Sequence, residues 1–566
     1  MANLARRQIL KMLGILGIGN ATFQRALAEE AAKGSGLTLE QIASAEWVAG
    51  ISLTDEQRTS LTSRLNNVRS DSAEIRAIPI RYDELSAFRF DPEMADPTVA
   101  VRALKRPDSL SDRPAVAVSE IPPADDSTAD DCSFLSIAEL GKRLRNGSLT
   151  SVKLTRFCLE KLMRHDPVLN CVVTLTEDLA MRQAEQADQE LASGHDRGPL
   201  HGIPWGAKDL IGLHGYPTTW GAAHFREQQT KTSATVAQKL EQAGAVIAAK
   251  LSLGALAMGD EWFNGQTKNP WNPGQGSSGS SAGSASAVAA GLLPFAIGSE
   301  TLGSIVSPTR RCGVAGLRPT FGRVSRAGCM ALSWTMDKLG PIARSADDCG
   351  YVLAAIHGRD VDDPTTVDRW FQWPVDADLS KLKIGRVTNC ETSAPDQRAL
   401  DLLQKCGAKL VDIELPRDIP EWTLARMLDV EAACIFQELA RENISEGLNS
   451  WPDIFRASHF VSAIDYLQAS RARFQLMKKM AAVFCNVHLY VGGSDLGITN
   501  LTGHPTFVLP IMMAEMKPQS RPLCCTLTGA LHDEATLLSV ARVIEQQADV
   551  LKFHPSIDDF ANGRKQ

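Results

Sequence analysis

From Phe134 onward, apolar and polar positions alternate between two periods. Ile137–Asn146 and Ser151–His165 carry apolar residues at helical intervals, and Leu179–Ala192 reads as a further helix rich in Ala, Gln and Glu. Short apolar runs come next at Gly202–Gly206, Ala245–Ala249 and Leu293–Ile297, each close to glycine or proline, and these read as strands. Helices alternating with strands predict an α/β architecture, with helices packed around a central sheet. The region before this differs. Leu37 to Val68 has helical periodicity through Ile42, Trp47, Val48, Ile51, Leu61, Leu65 and Val68, and Ser52–Glu56 looks like a helix start capped by Thr54. Pro79 to Asp126 is rich in Pro, Asp and Ser and predicts an extended segment or linker packed on a larger body. The expected organisation is an N-terminal signal over 1–28, a small helical extension and linker over 29–128, and one large domain over 129–566.

The first 28 residues have the pattern of an export signal. Ala5-Arg6-Arg7-Gln8-Ile9-Leu10-Lys11 precedes a modest apolar stretch from Met12 to Phe23, and Ala26-Leu27-Ala28 closes the segment. The paired arginines resemble the twin-arginine motif and Ala26-x-Ala28 a small-residue cleavage site, which implies a periplasmic or otherwise extracytoplasmic protein. The competing reading is an ordinary amphipathic helix on a cytoplasmic protein, to which Asn20, Gln24 and Arg25 lend weight. The apolar run falls short of the roughly 20 residues that span a bilayer, so no stable membrane anchor is expected.

Composition narrows the classes further. With 44% hydrophobic and 22% charged residues over 566 positions, the chain is globular rather than disordered or fibrous. Its net charge of -7 leaves no broad basic surface, so nucleic acid is not expected as principal ligand. The twelve cysteines are scattered with no C-x-x-C pair and no zinc spacing; they read as small buried apolar residues without disulfides or a structural metal. H-E-x-x-H and the phosphate-loop pattern do not occur, and the G-x-G-x-x-G match at Gly274, Gly276 and Gly279 lacks the preceding strand that a dinucleotide site needs. The expectation is a cofactor-independent protein.

Pro273 to Thr320 carries the chemistry. Its Gly/Ser run from Gly274 to Gly283 alone would pass for a flexible linker. The residues after it argue otherwise: Ser284–Ala290 is a compact helical run of small residues, Leu293–Ile297 is apolar, and a second Gly/Ser turn spans Gly298–Ser304. Two serine-bearing turns around one helix and one strand gather backbone N–H groups and hydroxyls in one place, as binding a developing oxyanion requires. Gly279-Ser280-Ser281-Ala282-Gly283 also satisfies G-x-S-x-G, the nucleophile elbow of α/β-hydrolases. That motif needs a strand before it, and Asn269-Pro270-Trp271-Asn272-Pro273-Gly274 is unfit for a central one.

Ser278–Gly291 resembles the Gly/Ser-rich signature of the amidase signature family. Gly298–Thr320 resembles the segment that ends it, with Gly313-Val314-x-Gly316-Leu317-Arg318-Pro319-Thr320. Gly202-Ile203-Pro204-Trp205-Gly206-Ala207-Lys208-Asp209 is similar to the family's lysine motif. Asp337–Ser345 and Thr499-Asn500-Leu501-Thr502-Gly503-His504-Pro505 look like its later landmarks, so the resemblance runs from about Phe134 to Pro555. It implies the amidase signature fold, a central mixed sheet covered by helices on both faces. It also implies hydrolysis of a small-molecule amide by a triad of Ser304 as nucleophile, Ser280 as bridging serine in a cis peptide, and Lys208 as base. Thr301, Leu302, Gly303 and Ser304 would supply the oxyanion hole. For Lys208 to act as base, its pKa must fall from about 10.4 to near 7, which takes roughly 4 kcal/mol of differential burial.

The chain departs from the family pattern at several positions. Leu302 stands where glycine is frequent, Glu300 where aspartate is frequent and Val306 where many members carry arginine. Leu302 adds bulk beside the scissile bond, and Val306 removes an expected contact to a carboxylate or phosphate. Ser494, after Gly492-Gly493, replaces an expected Thr-Pro pair. His201 and His504 read as structural hydrogen-bonders and Asp337 as a support near the site; Arg310 and Arg311 are open to either a substrate-contact or a surface role. The same family includes the amidase subunit of a complex that amidates mischarged tRNA with glutamine as ammonia source, and this is the alternative function. An export signal argues against it, because charged tRNA is cytoplasmic. A non-catalytic binding protein on the same fold is a third reading, opposed by the intact Lys208, Ser280 and Ser304.

Overall fold

A computed structural model describes residues 90–95, 104–112 and 132–557, apart from 443, 459–460, 462 and 515–520, together with isolated positions between 39 and 59. The export signal expected over 1–28 lies outside the described residues. So does most of the Leu37–Val68 helix, although Thr54 immediately precedes the helical Asp55. Two compact units emerge. Of the described residues, the larger holds 90–95, 104–112, those between 132 and 421 and those between 476 and 557; the smaller holds the isolated positions between 39 and 59 and those between 422 and 475.

The larger unit is built on an 11-stranded mixed sheet. Its strands are β1 (Val172–Leu175), β2 (Pro204–Lys208), β3 (Val246–Leu251), β4 (Phe295–Glu300), β5 (Ala315–Arg318), β6 (Lys338–Ala343), β7 (Lys383–Val387), β8 (Lys409–Ile413), β9 (Leu489–Val491), β10 (Thr506–Ala514) and β11 (Arg521–Gly529). Their spatial order is β8-β7-β9-β11-β10-β5-β6-β4-β2-β3-β1. β3, β2 and β4 run parallel, whereas β4 to β11 form a continuous antiparallel block through β6, β5 and β10. β2 to β6 are buried at every position, as expected of central strands covered by helices.

The helices Ile137–Arg145, Ser151–Leu169 and Glu177–Ala192 fall where the apolar period places them. Ser136 and Glu139 close a reciprocal capping box at the start of the first. The second continues beyond His165 through Pro167 and ends on a left-handed Asn170 (φ 50°), after which Asp166 accepts the N–H groups of Cys171 and Val172.

Residues 90–95 and 104–112 pack on this body. Phe90 meets Phe321 edge-on with ring centroids 5.0 Å apart, and Glu93 pairs with Arg369 (2.6 Å) and lies 3.0 Å from His532. Leu110–Asp112 pairs antiparallel with Val375–Ala377. In the smaller unit, residues 426–435, 437–441 and 451–458 are helical; Trp451 stacks on Phe455, and the Tyr466 hydroxyl donates to buried Glu431 at 2.8 Å. No helix among the described residues is long and apolar enough to cross a membrane.

Candidate active site

Lys208 is the last residue of β2, and its side chain is fully buried among small hydroxylated neighbours. Nζ donates to Ser280 Oγ at 2.7 Å and to Ser299 Oγ at 2.8 Å, with Ser281 Oγ at 3.2 Å and the Ser299 carbonyl at 3.4 Å. Burial disfavours the ammonium and brings its pKa down to about 7, while the charges of Asp337 and Glu300 pull in the opposite direction. No carboxylate lies among the hydrogen-bond partners of the amine, so the neutral form is within reach near neutrality.

Ser280 sits at the head of the Gly/Ser turn, and the peptide bond between Gly279 and Ser280 is cis. A Cβ on Gly279 would lie 1.9 Å from the Gly259 carbonyl oxygen, so only glycine fits there. The turn feeds the helix Ala282–Ala289, buried along its whole length, where residues no larger than valine allow close packing on the sheet. Ser281 is the stitch between the two turns. Its N–H donates to the Ser304 carbonyl (3.0 Å) and its hydroxyl to the Ser299 carbonyl (3.0 Å), and it accepts the Ser299 N–H (3.1 Å).

The second turn comes directly after β4. Thr301 is buried and its hydroxyl donates to Asp337 at 2.6 Å; Asp337 also accepts the N–H groups of Leu332 and Ser333, which is the supporting role expected of it. Leu302 and Ser304 are half-buried, and the left-handed backbone of the turn falls at Gly303 (φ 96°), not at Leu302. Leu302 therefore keeps an ordinary backbone with its N–H available. Among the described residues, none accepts a hydrogen bond from the N–H of Thr301, Leu302, Gly303 or Ser304, whereas those of Ile305 and Val306 both go to Glu300. This leaves a run of unpaired donors beside a serine hydroxyl, the arrangement that stabilises an oxyanion.

Val306 is buried in an apolar cluster with Val508 and Cys524, against which Leu496 packs. Ser494 is exposed and left-handed (φ 43°), and Arg310 and Arg311 are exposed. His201 is buried against Glu190, and His504 stacks on Phe484 and shares a hydrogen bond with Thr502. The segment before the Gly/Ser turn forms a small ribbon, Lys268–Asn269 with Asn272–Gly276, outside the central sheet. A nucleophile elbow therefore has no strand to stand on. Ser281 itself is fully buried and hydrogen-bonded. Among the described residues, no group of three or more His, Cys, Asp or Glu side chains is disposed to hold a metal ion.

Three roles escape a reading of the sequence. Ser281 and Ser299 share the lysine, and Glu300 holds the turn. The signal for them lies in the multiplicity of serines flanking Ser280 and in the acidic residue before Thr301, but serine count alone does not say which hydroxyl faces the amine.

The Amidase family model matches residues 153–494, which spans both turns and the lysine strand. The chain belongs to the amidase signature family. Its relatives include a glutamyl-tRNA(Gln) amidotransferase subunit from Marinomonas sp. (strain MWYL1), 39% identical over 298 residues that make up 50% of this chain and 60% of that protein. The match thus spans less than two thirds of that relative's length. The corresponding protein of Chloroflexus aurantiacus (strain ATCC 29366 / DSM 635 / J-10-fl) is 31% identical over 472 residues, covering 72% of this chain and 95% of that one. Among solved structures, the native peptide amidase from Stenotrophomonas maltophilia superposes with a TM-score of 0.65 at 28% identity, covering 75% of this chain and 98% of that one. The mixed sheet flanked by helices is that of other amidase signature proteins.

Proposed function

We propose that this amidase hydrolyses a linear carboxamide to a carboxylate and ammonia or an amine, through an acyl-enzyme on Ser304. The observation that carries the reading is a fully buried lysine amine 2.7 Å from the Ser280 hydroxyl, with a pKa brought to about 7. Neutral Lys208 takes the Ser280 proton while Ser280 takes that of Ser304, and Ser304 Oγ attacks the amide carbon. The Ser281 N–H bonded to the Ser304 carbonyl supports this path, since it keeps the two turns in register. The oxyanion is held by the unpaired N–H groups of Thr301 to Ser304. Collapse breaks the C–N bond, and the proton returns along the relay to the leaving nitrogen. Water then attacks the ester with the same base, releasing the carboxylate and restoring Ser304.

The identity to amidotransferase subunits favours a second reading in which glutamine is the physiological amide. Measuring ammonia or amine release from aliphatic, aryl and peptide amides, with glutamine alongside, separates the two. The first reading expects turnover of at least one simple or peptide amide at about 1 s⁻¹ or faster; turnover of glutamine alone selects the second reading, and turnover of no amide by folded protein overturns both.

The Ala5–Lys11 and Ala26–Ala28 patterns support export in the folded state, which places the substrate outside the cytoplasm. A folded reporter carrying residues 1–28 should reach the periplasm of a bacterium with the twin-arginine pathway. Retention inside the cell removes this part of the reading.

A further inference from the structure

Sequence landmarks far apart in the chain converge on one carboxylate. Glu300 closes β4 and is fully buried, as are Arg318 at the end of β5 and Asn500 in the helix Leu496–Thr502. Glu300 Oε1 accepts from Arg318 Nη1 (2.8 Å) and from Asn500 Nδ2 (2.8 Å). Oε2 accepts from the N–H of Ile305 (2.8 Å) and of Val306 (2.9 Å). Arg318 is held in turn by the His504 carbonyl and the Thr506 hydroxyl, and Asn500 by the Leu496 carbonyl. Burial pushes the Glu300 carboxyl up, but the charges of Arg318 and Lys338 and the hydrogen bonds from Arg318 and Val306 bring its pKa net down to about 2, so it stays ionised.

The geometry has a mechanical consequence. A side chain rooted at the start of the turn grips backbone at its end, and Thr301, Leu302, Gly303 and Ser304 are the residues enclosed. Gly303 in left-handed conformation gives that stretch intrinsic freedom, so an external clamp is what holds the free N–H groups and the Ser304 hydroxyl at fixed spacing. We propose that Glu300, anchored by Arg318 and Asn500, is a positioning residue that shapes the oxyanion-binding turn and aims Ser304. This rests on the reading of Ser304 as nucleophile. It also gives the Gly313–Thr320 and Thr499–Pro505 landmarks a physical role: they carry the two anchors. A misplacement of about 1 Å in such a turn is worth about 100-fold in rate.

The test compares steady-state kinetics of Glu300→Gln, Glu300→Asp and Asn500→Ala with thermal melting of each. Glu300→Gln should lower kcat about 100-fold with KM within about threefold, because it perturbs transition-state contacts rather than substrate binding. Glu300→Asp, which keeps the charge, should recover kcat to within about tenfold of the parent, and Asn500→Ala should lie between the two. The double variant Glu300→Met/Arg318→Met removes the charge pair without leaving either partner buried alone, and guards against a loss that is merely unfolding. It should stay folded at the assay temperature, melting below the parent because the N–H groups of Ile305 and Val306 lose their acceptor, and still lose about 100-fold in kcat. A double variant that stays folded and turns over like the parent overturns the proposal, as does a Glu300→Gln defect confined to KM. If Ser304→Ala keeps turnover, the nucleophile reading falls; if it is inactive while the Glu300 variants are unimpaired, only this inference falls.

Discussion

Replacing Ser304 with alanine should lower kcat/KM for any hydrolysed amide by about 10⁴-fold or more, at unchanged thermal stability. The magnitude comes from the covalent step. With the hydroxyl gone, the donors of Thr301 to Ser304 still bind an oxyanion, but no group within the site attacks the carbonyl. Ser304 is half-buried and its hydroxyl has no hydrogen-bond partner among the described residues, so its truncation orphans no neighbour. Ser281→Ala is the informative companion. Ser281 is fully buried and ties the two turns through its hydroxyl, so its loss loosens the site and should lower the rate about tenfold, without removing the nucleophile. A nucleophile elbow would invert the two results. Assays of both variants on one substrate decide between them.

The second large effect is on pH. The base must be uncharged to work, and burial has brought Lys208 to about 7. Below that value the ammonium dominates, so kcat/KM should fall about tenfold for each pH unit on the acid side and level off above about pH 7 to 8. The sign is set by burial, which penalises the charged form; the opposing pull of Asp337 and Glu300 is too weak to restore an ordinary lysine. Lys208→Met should remove the limb along with about 10⁴-fold of the rate, and Lys208→Arg should not rescue it, since a guanidinium stays protonated throughout. A profile flat from about pH 5 to about pH 9 in the parent would mean that Lys208 is not the base.

How far the sequence foretells this arrangement differs by feature. The alternation of helices and strands is readable because buried strands and amphipathic helices have distinct periods. The strand expected over Gly202–Gly206 appears as Pro204–Lys208, displaced toward the lysine, because Gly202 is consumed by a left-handed turn (φ 78°). The helix expected over Ser151–His165 runs on to Leu169, because a proline is tolerated where Asn170 and Asp166 satisfy the chain beyond it. Lys208, Ser280 and Ser304 are legible through motif resemblance, and the structure brings Lys208 to Ser280 and the Ser281 backbone to Ser304. The clamp at Glu300 is out of reach: Arg318, Asn500 and Thr506 stand in separate motifs, and nothing in spacing along the chain tells that they meet on one carboxylate.

At the centre of the proposed chemistry, a buried amine acts through one serine to activate another. A serine-reactive fluorophosphonate, with digestion and peptide mass mapping after labelling, tests this most directly when the parent and Lys208→Met are treated side by side. The expected result is a phosphonyl adduct on Ser304 in the parent and its near absence in Lys208→Met. An adduct on Ser281, or equal labelling of Ser304 in both proteins, would contradict it.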